Sequence, residues 1–178
     1  MSAGFLHGNS APRQAVIYFR EVQRFRQPWY WAIQIPALAL VAYMVFRQLV
    51  LGKPVGQHPA SNASLAIIAA TIMLLVIWFL KLELITEVRD DLLEIRFRGL
   101  FVRRAIPLAE IRHFEAKTYR PIRDYGGWGV RRGAGGTAYN VSGNRGVELK
   151  LADGKLVMIG SESPEEFALA LQARSAAK

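Results

Sequence analysis

No cysteine occurs among the 178 residues, which excludes disulfide scaffolds, thiolate metal sites and cysteine nucleophiles. Histidine is scarce: His7, His58 and His113 are the three in the chain, far apart in sequence. His113-Phe114-Glu115 sets an imidazole and a carboxylate on one strand face, but two ligands do not make a catalytic zinc site. An ordinary strand histidine is the simpler reading. No G-K-[ST] tripeptide is present, so the phosphate loop of P-loop enzymes is absent. Asp90-Asp91 reads as a turn rather than a carboxylate dyad. No catalytic residue, metal site or cofactor is therefore expected. Acidic residues are also few, 14 against 23 Lys and Arg, for a formal net charge of +9. That balance favours a polyanionic neighbour, either nucleic acid or an anionic membrane surface.

What the chain has in excess is hydrophobic residues, 52% of the total, concentrated in its first half. Gln27 to Phe46 runs without a charge, and LAIIAATIMLLVIWFL (Leu65 to Leu80) follows a polar SNAS approach and is closed by Lys81. Each block, with its flanks, is long enough to cross about 30 Å of hydrocarbon as a helix. A pair of buried helices is the soluble alternative, but both blocks are apolar on every face rather than along one stripe. The spans are placed at about 28–51 and 61–81, joined by the Gly- and Pro-containing turn LGKPVGQHPASN. Arg13, Arg20, Arg24 and Arg26 precede the hairpin and Lys81, Arg89, Arg96 and Arg98 follow it, whereas the turn region carries only Arg47 and Lys53. The positive-inside tendency puts both termini in the cytoplasm. Trp29, Tyr30, Trp31 and Trp78, with Arg24, Arg26 and Lys81, form the expected interface belt at that end.

Three regions follow. Residues 1–27 are a basic, amphipathic lead-in, read either as a helix lying along the inner leaflet or as a solvated lead-in. Residues 28–81 are the transmembrane hairpin. Residues 82–178 form a cytoplasmic domain, because from Leu82 the hydrophobic period changes to two. LELITEV, LEIRFR, FVRRAIPL and IRHFEAKTY read as strands, and VELKL and KLVMI as a hairpin turned by Ala152-Asp153-Gly154. Ser163-Pro164-Glu165-Glu166 starts a terminal helix in which Phe167 and Leu171 make an apolar stripe. About seven strands and one helix imply a small antiparallel barrel with a plugged end.

Between those strands, Arg123 to Gly146 holds eight of the fifteen glycines. Gly133-Ala134-Gly135-Gly136-Thr137-Ala138 formally satisfies a G-x-G-x-x-A dinucleotide fingerprint. That fingerprint needs a preceding apolar strand and a following helix. Here Arg131-Arg132 precede it and the strand-like AYNV follows, so glycine serves as a permissive turn in a long strand-to-strand excursion.

The turn at RDD, the strand LEIRFRGLFVRR, the segment AIPLAEIRHFEA and the terminal SPEEFALAL helix resemble the bacterial pleckstrin-homology-like (PH-like) domains. RPIRDYGGWGVRR and AYNVSGNRGV are similar to a small membrane branch of that group. The resemblance covers Leu82 to Leu171 and, in architecture, the two-helix hairpin. It implies an α+β membrane protein with a PH-like barrel capped by its C-terminal helix, in the bacterial inner membrane, and carries no catalytic motif.

The function expected is a non-enzymatic, membrane-anchored binding or scaffold module facing the cytoplasm. The alternative is an accessory subunit of a larger membrane complex, respiratory or photosynthetic for example. Expected partners are anionic inner-leaflet lipids and a membrane protein or a second copy of this chain, not nucleic acid, which leaves two apolar helices unexplained. Arg96, Arg98, Arg103 and Arg104 on the strands, and Tyr125, Trp128, Arg131 and Arg132 on the glycine excursion, are the candidate contacts.

Overall fold

The computed structural model describes residues 16–25, 28–133 and 135–176, and leaves the side chain of Trp29 undescribed. Helix α1 (Pro28–Val45) runs on as a π-helical turn, Phe46–Val50, and α2 spans Asn62–Leu80. Pro28 opens α1, where a missing N–H costs nothing. Ser61 caps α2 by accepting a hydrogen bond from the Ser64 N–H. Tyr30–Val50 (21 residues, mean hydropathy 1.6) and Asn62–Leu80 (19 residues, mean hydropathy 2.6) are both long and apolar enough to span a membrane. The rest of the chain buries almost none of either helix, 0% and 6%. Gln48 closes the turn between the two helices by donating to the Ala60 carbonyl and to Asn62 Oδ1.

The segment before the hairpin is not a helix. Ile17–Arg24 forms strand β1, which pairs antiparallel with β2 (Glu83–Arg89). Its register sets Gln23 opposite Leu84 and Arg24 opposite Glu83. The helical reading fails because Ile17, Phe19, Glu21 and Gln23 alternate with Tyr18, Arg20, Val22 and Arg24, a period of two matched to a partner strand some sixty residues on. The hairpin is thus an insertion between two hydrogen-bonded strands of one sheet. Strands β3 (Leu92–Arg98) and β4 (Val102–Pro107) complete it in the order β1-β2-β3-β4.

The second sheet contains β5 (Ile111–Thr118), β6 (Gly129–Gly133), β7 (Gly136–Asn140), β8 (Arg145–Leu151) and β9 (Leu156–Gly160), in the order β5-β8-β9-β7-β6. The expected closed antiparallel barrel is not formed. The architecture is α+β with two separate sheets, and β7 runs parallel to β9. The difference comes from the glycine excursion, which builds the short helix α3 (Pro121–Tyr125) and then the hairpin β6–β7, extending the second sheet beyond β9. Gly136 permits that docking: it has φ +98, and a Cβ there would lie 2.1 Å from the Leu156 carbonyl oxygen.

Between the sheets lies one apolar core that includes Leu84, Leu93, Ile95, Phe97, Leu149 and Ile159. Helix α4 (Pro164–Ala176) closes it with Phe167 and Leu171, both fully buried. A carboxylate from β1 serves the start of α4: Glu21 accepts from Ser161 Oγ at 2.5 Å and the Glu162 N–H at 2.6 Å. Buried Gln23 donates to the Gly160 carbonyl at 2.6 Å. Strand β1 therefore ties the first sheet to the end of the second.

Candidate functional site

Antiparallel pairing sorts the first sheet onto two faces. Phe97, Ile95 and Leu84 face the core, while Arg20, Arg24, Arg89, Arg96, Arg98 and Arg103 share the outer face with Glu83, Glu87 and Glu94. Guanidinium outnumbers carboxylate there.

Glu87 organises the middle of this face although it is only 2% exposed. Arg89 Nη2 and Arg96 Nη2 each lie 2.6 Å from one of its oxygens, and Arg20 Nε is 3.4 Å away. Burial pushes the Glu87 carboxyl up, but the Arg89 hydrogen bond and the charges of Arg96, Arg89 and Arg20 outweigh it and hold its pKa below the ordinary carboxylate value. Nearer the hairpin, Glu83 takes Arg24 at 2.7 Å and Arg98 at 3.2 Å. Arg103 sits across from Arg96 in the register and is exposed, and its guanidinium has no ion-pair or hydrogen-bond partner among the described residues.

Two grooves open on this face. One, of about 530 Å³, is lined by Arg20, Ile85, Arg96, Arg98, Phe101 and Arg103. The other, of about 640 Å³, is lined by Arg24, Trp78, Lys81, Glu83, Arg98 and Phe101. Arg98, Gly99 and Phe101 line both. Phe101 is 96% exposed and holds φ 56, a left-handed conformation that costs a bulky L residue roughly 1–2 kcal/mol. The turn carrying it is fastened to the end of α2, where Trp78 Nε1 donates to the Gly99 carbonyl at 3.0 Å.

The sequence-derived candidates divide. Arg96, Arg98 and Arg103 come together on the outer face. Arg104 points to the opposite face, with its guanidinium 5.8 Å from the Tyr139 ring centroid and 3.3 Å from that hydroxyl. Tyr125 is buried edge-on to Tyr119, so it offers no exposed anchor. Burial raises the Tyr125 hydroxyl and pushes Tyr119 up to about 12, against the lowering effect of its hydrogen bond from Asn140. Trp128 donates to the Gly143 carbonyl, and Arg131 Nε donates back to the Trp128 carbonyl. These two therefore brace the β6 end, while Arg132 is exposed. Of the belt, Tyr30 stacks on Phe79 at 3.9 Å and meets Trp31 edge-on. Trp78 and Lys81 line the groove beside Arg24. Arg26 and the Trp29 side chain lie outside the described residues.

Sequence reasoning missed Arg20 and Phe101 as lining residues. The period-two pattern of β1 carried the signal for Arg20, and the turn after Gly99 carried it for Phe101. His113 lies 3.9 Å from Glu115 with both side chains exposed. Among the described residues no group of three or more His, Cys, Asp or Glu is placed to hold a metal ion. The arrangement suits anion binding: a planar guanidinium presents a fork of donors that matches a phosphate or carboxylate.

A family described as being of unknown function, DUF6141, matches residues 10–177. No curated protein matches the chain.

Proposed function

We propose, starting from the fact that this chain belongs to the DUF6141 family of unknown function, that it is a non-enzymatic binding or scaffold module anchored in a bacterial inner membrane. The insertion of the apolar hairpin between β1 and β2 carries this reading. The helices enter and leave through adjacent paired strands, clamped where Arg24 faces Glu83. A domain tethered by a flexible linker samples many orientations, whereas one whose own sheet continues into both spans holds one face toward the bilayer. The basic residues flanking both spans support a cytoplasmic domain. The PH-like resemblance belongs to the same reading, and what supports it is a four-stranded antiparallel sheet opposed to a second sheet and closed by a C-terminal helix.

A module of this kind acts by holding a partner near the leaflet. Solubilising the full chain from its native membrane in mild detergent, then measuring particle size and identifying co-purifying chains, tests it. A small particle with a substoichiometric partner is the expected result. A stoichiometric large assembly would make the chain an accessory subunit of that assembly. Turnover abolished by one substitution in the sheets would overturn the non-enzymatic reading.

A further inference from the structure

Resting on that anchored reading, we infer that the β3–β4 turn, Gly99-Leu100-Phe101, is a membrane-docking wedge whose flanking arginine grooves seat anionic phospholipid headgroups of the same leaflet. Depth is the first argument. Trp78 lies in the last turn of α2 and holds the Gly99 carbonyl directly. The turn therefore sits at the level where that span leaves the hydrocarbon, and Lys81 lines the adjacent groove.

The wedge itself is the second argument. Phe101 is almost wholly exposed and has a backbone conformation that bulky residues avoid. No described residue covers its ring. The acyl boundary of a leaflet does so, and aromatic rings concentrate at that depth.

Charge is the third argument. The first groove is lined by Arg20, Arg96, Arg98 and Arg103 and by no carboxylate. Glu87, Glu94 and Glu83 already pair with Arg20, Arg96 and Arg98, so Arg103, whose side chain is unpaired among the described residues, supplies the free guanidinium of this groove. In the second groove, Arg24, Lys81 and Arg98 outnumber Glu83. A phospholipid satisfies both features at once, with phosphate toward the guanidiniums and an apolar region for the ring. A soluble phosphorylated molecule leaves Phe101 uncovered, and a nucleic acid offers nothing to a wedge placed beside a membrane span.

The absence of native cysteine makes the test direct. Phe101→Cys, and Asp91→Cys in the exposed turn at the other end of β3, are each labelled with an environment-sensitive dye in the full chain. The proteins are reconstituted in phosphatidylcholine vesicles with and without phosphatidylglycerol. The label at 101 is quenched by headgroup-nitroxide lipid and shielded from aqueous iodide, and the label at 91 behaves in the opposite way. With spin-labelled lipids, Arg103→Gln lowers the preference for phosphatidylglycerol over phosphatidylcholine by roughly fivefold, the worth of one cation near an anionic surface. Lys150→Gln, exposed on β8, leaves that preference unchanged. Equal iodide access at 101 and 91 overturns the wedge, and an unchanged preference in Arg103→Gln overturns the headgroup sites. A chain that does not float with vesicles at all refutes the anchored reading, and the wedge with it.

Discussion

The ring of Phe19 lies flat on that of Phe167, with centroids 5.0 Å and planes 7° apart. One belongs to the strand before the apolar helical hairpin and the other to the last helix, so the two ends of the described chain meet inside one core. The first apolar helix is therefore entered from a strand already fixed in the domain.

Truncating Phe167 removes a fully buried ring and leaves a cavity between the sheets. Phe167→Ala lowers stability by about 3–5 kcal/mol. Phe19→Ala costs less, because Phe19 is only partly buried. A double-mutant cycle on the full chain in detergent, followed by denaturant unfolding, gives a coupling of about 0.5–1.5 kcal/mol for the pair. Zero coupling would separate β1 from the plug.

Glu21 gives stability a pH dependence of defined sign. Burial raises its carboxyl above 4.5, even though Ser161 and the Glu162 N–H stabilise the anion. A group with a raised folded pKa binds its proton more tightly in the native state. Its contribution is full below 4.5 and is lost as pH rises through the folded value. Glu21→Gln flattens stability across that window. An unaltered profile in chemical unfolding at stepped pH would contradict the burial of Glu21 against α4.

Glu87 acts in the opposite direction. Its depressed folded pKa contributes stability that is present above 4.5 and lost as pH falls through the folded value. Glu87→Gln leaves Arg20, Arg89 and Arg96 facing a neutral amide and costs about 1–3 kcal/mol at neutral pH. The loss shrinks in acid, where the wild-type carboxylate is itself protonated. A cost independent of pH would mean that Glu87 contributes packing rather than charge.

Strands β2, β3, β4, β5, β8 and β9, the terminal helix and the burial of Phe167 were legible in the sequence, because alternation and helix-start chemistry are local signals. The hairpin helices were placed to within a residue or so of α1, its π turn and α2. Strand β1 was not, because its partner lies beyond the hairpin and sequence distance hides the register. The β6–β7 hairpin was hidden too. Glycine composition reports permitted turns, not the parallel pairing with β9 that Gly136 allows. The Arg96, Arg98 and Arg103 cluster follows from alternation across one β3–β4 turn. Arg104 was grouped with them by charge alone, and the same alternation turns it to the other face.

Topology is open to a direct check. Both apolar helices leave the domain through paired strands, so the anchored reading proposed above expects the two domain-side ends on one side of a membrane and the Leu51–Asn62 turn on the other. Reporter fusions at Gly56 and at the C-terminus should report the external and cytoplasmic compartments respectively. External activity of the C-terminal fusion would reverse the orientation argued from the flanking basic residues.

The glycine excursion yields the last prediction, and it separates folding from contact. At Gly136 a side chain meets the Leu156 carbonyl oxygen, and the positive φ is strained for any L residue. Gly136→Ala detaches β7 from β9 and destabilises the chain by more than the ~1 kcal/mol that a tolerated glycine replacement changes. The Arg131→Ala, Arg132→Ala pair removes two exposed guanidiniums and the one bond from Arg131 Nε to the Trp128 carbonyl, so the unfolding midpoint falls only slightly, while on the reading proposed above association with a partner weakens. Trp128→Ala falls between, since it removes the bond to the Gly143 carbonyl that links the start of β6 to the turn before β8. Measuring midpoint and partner retention for all three distinguishes the roles. Full retention by the arginine pair would confine the contact surface to the first sheet, around Arg98 and Arg103. Loss of the fold in that pair would show that β6 depends on these side chains for more than their charge.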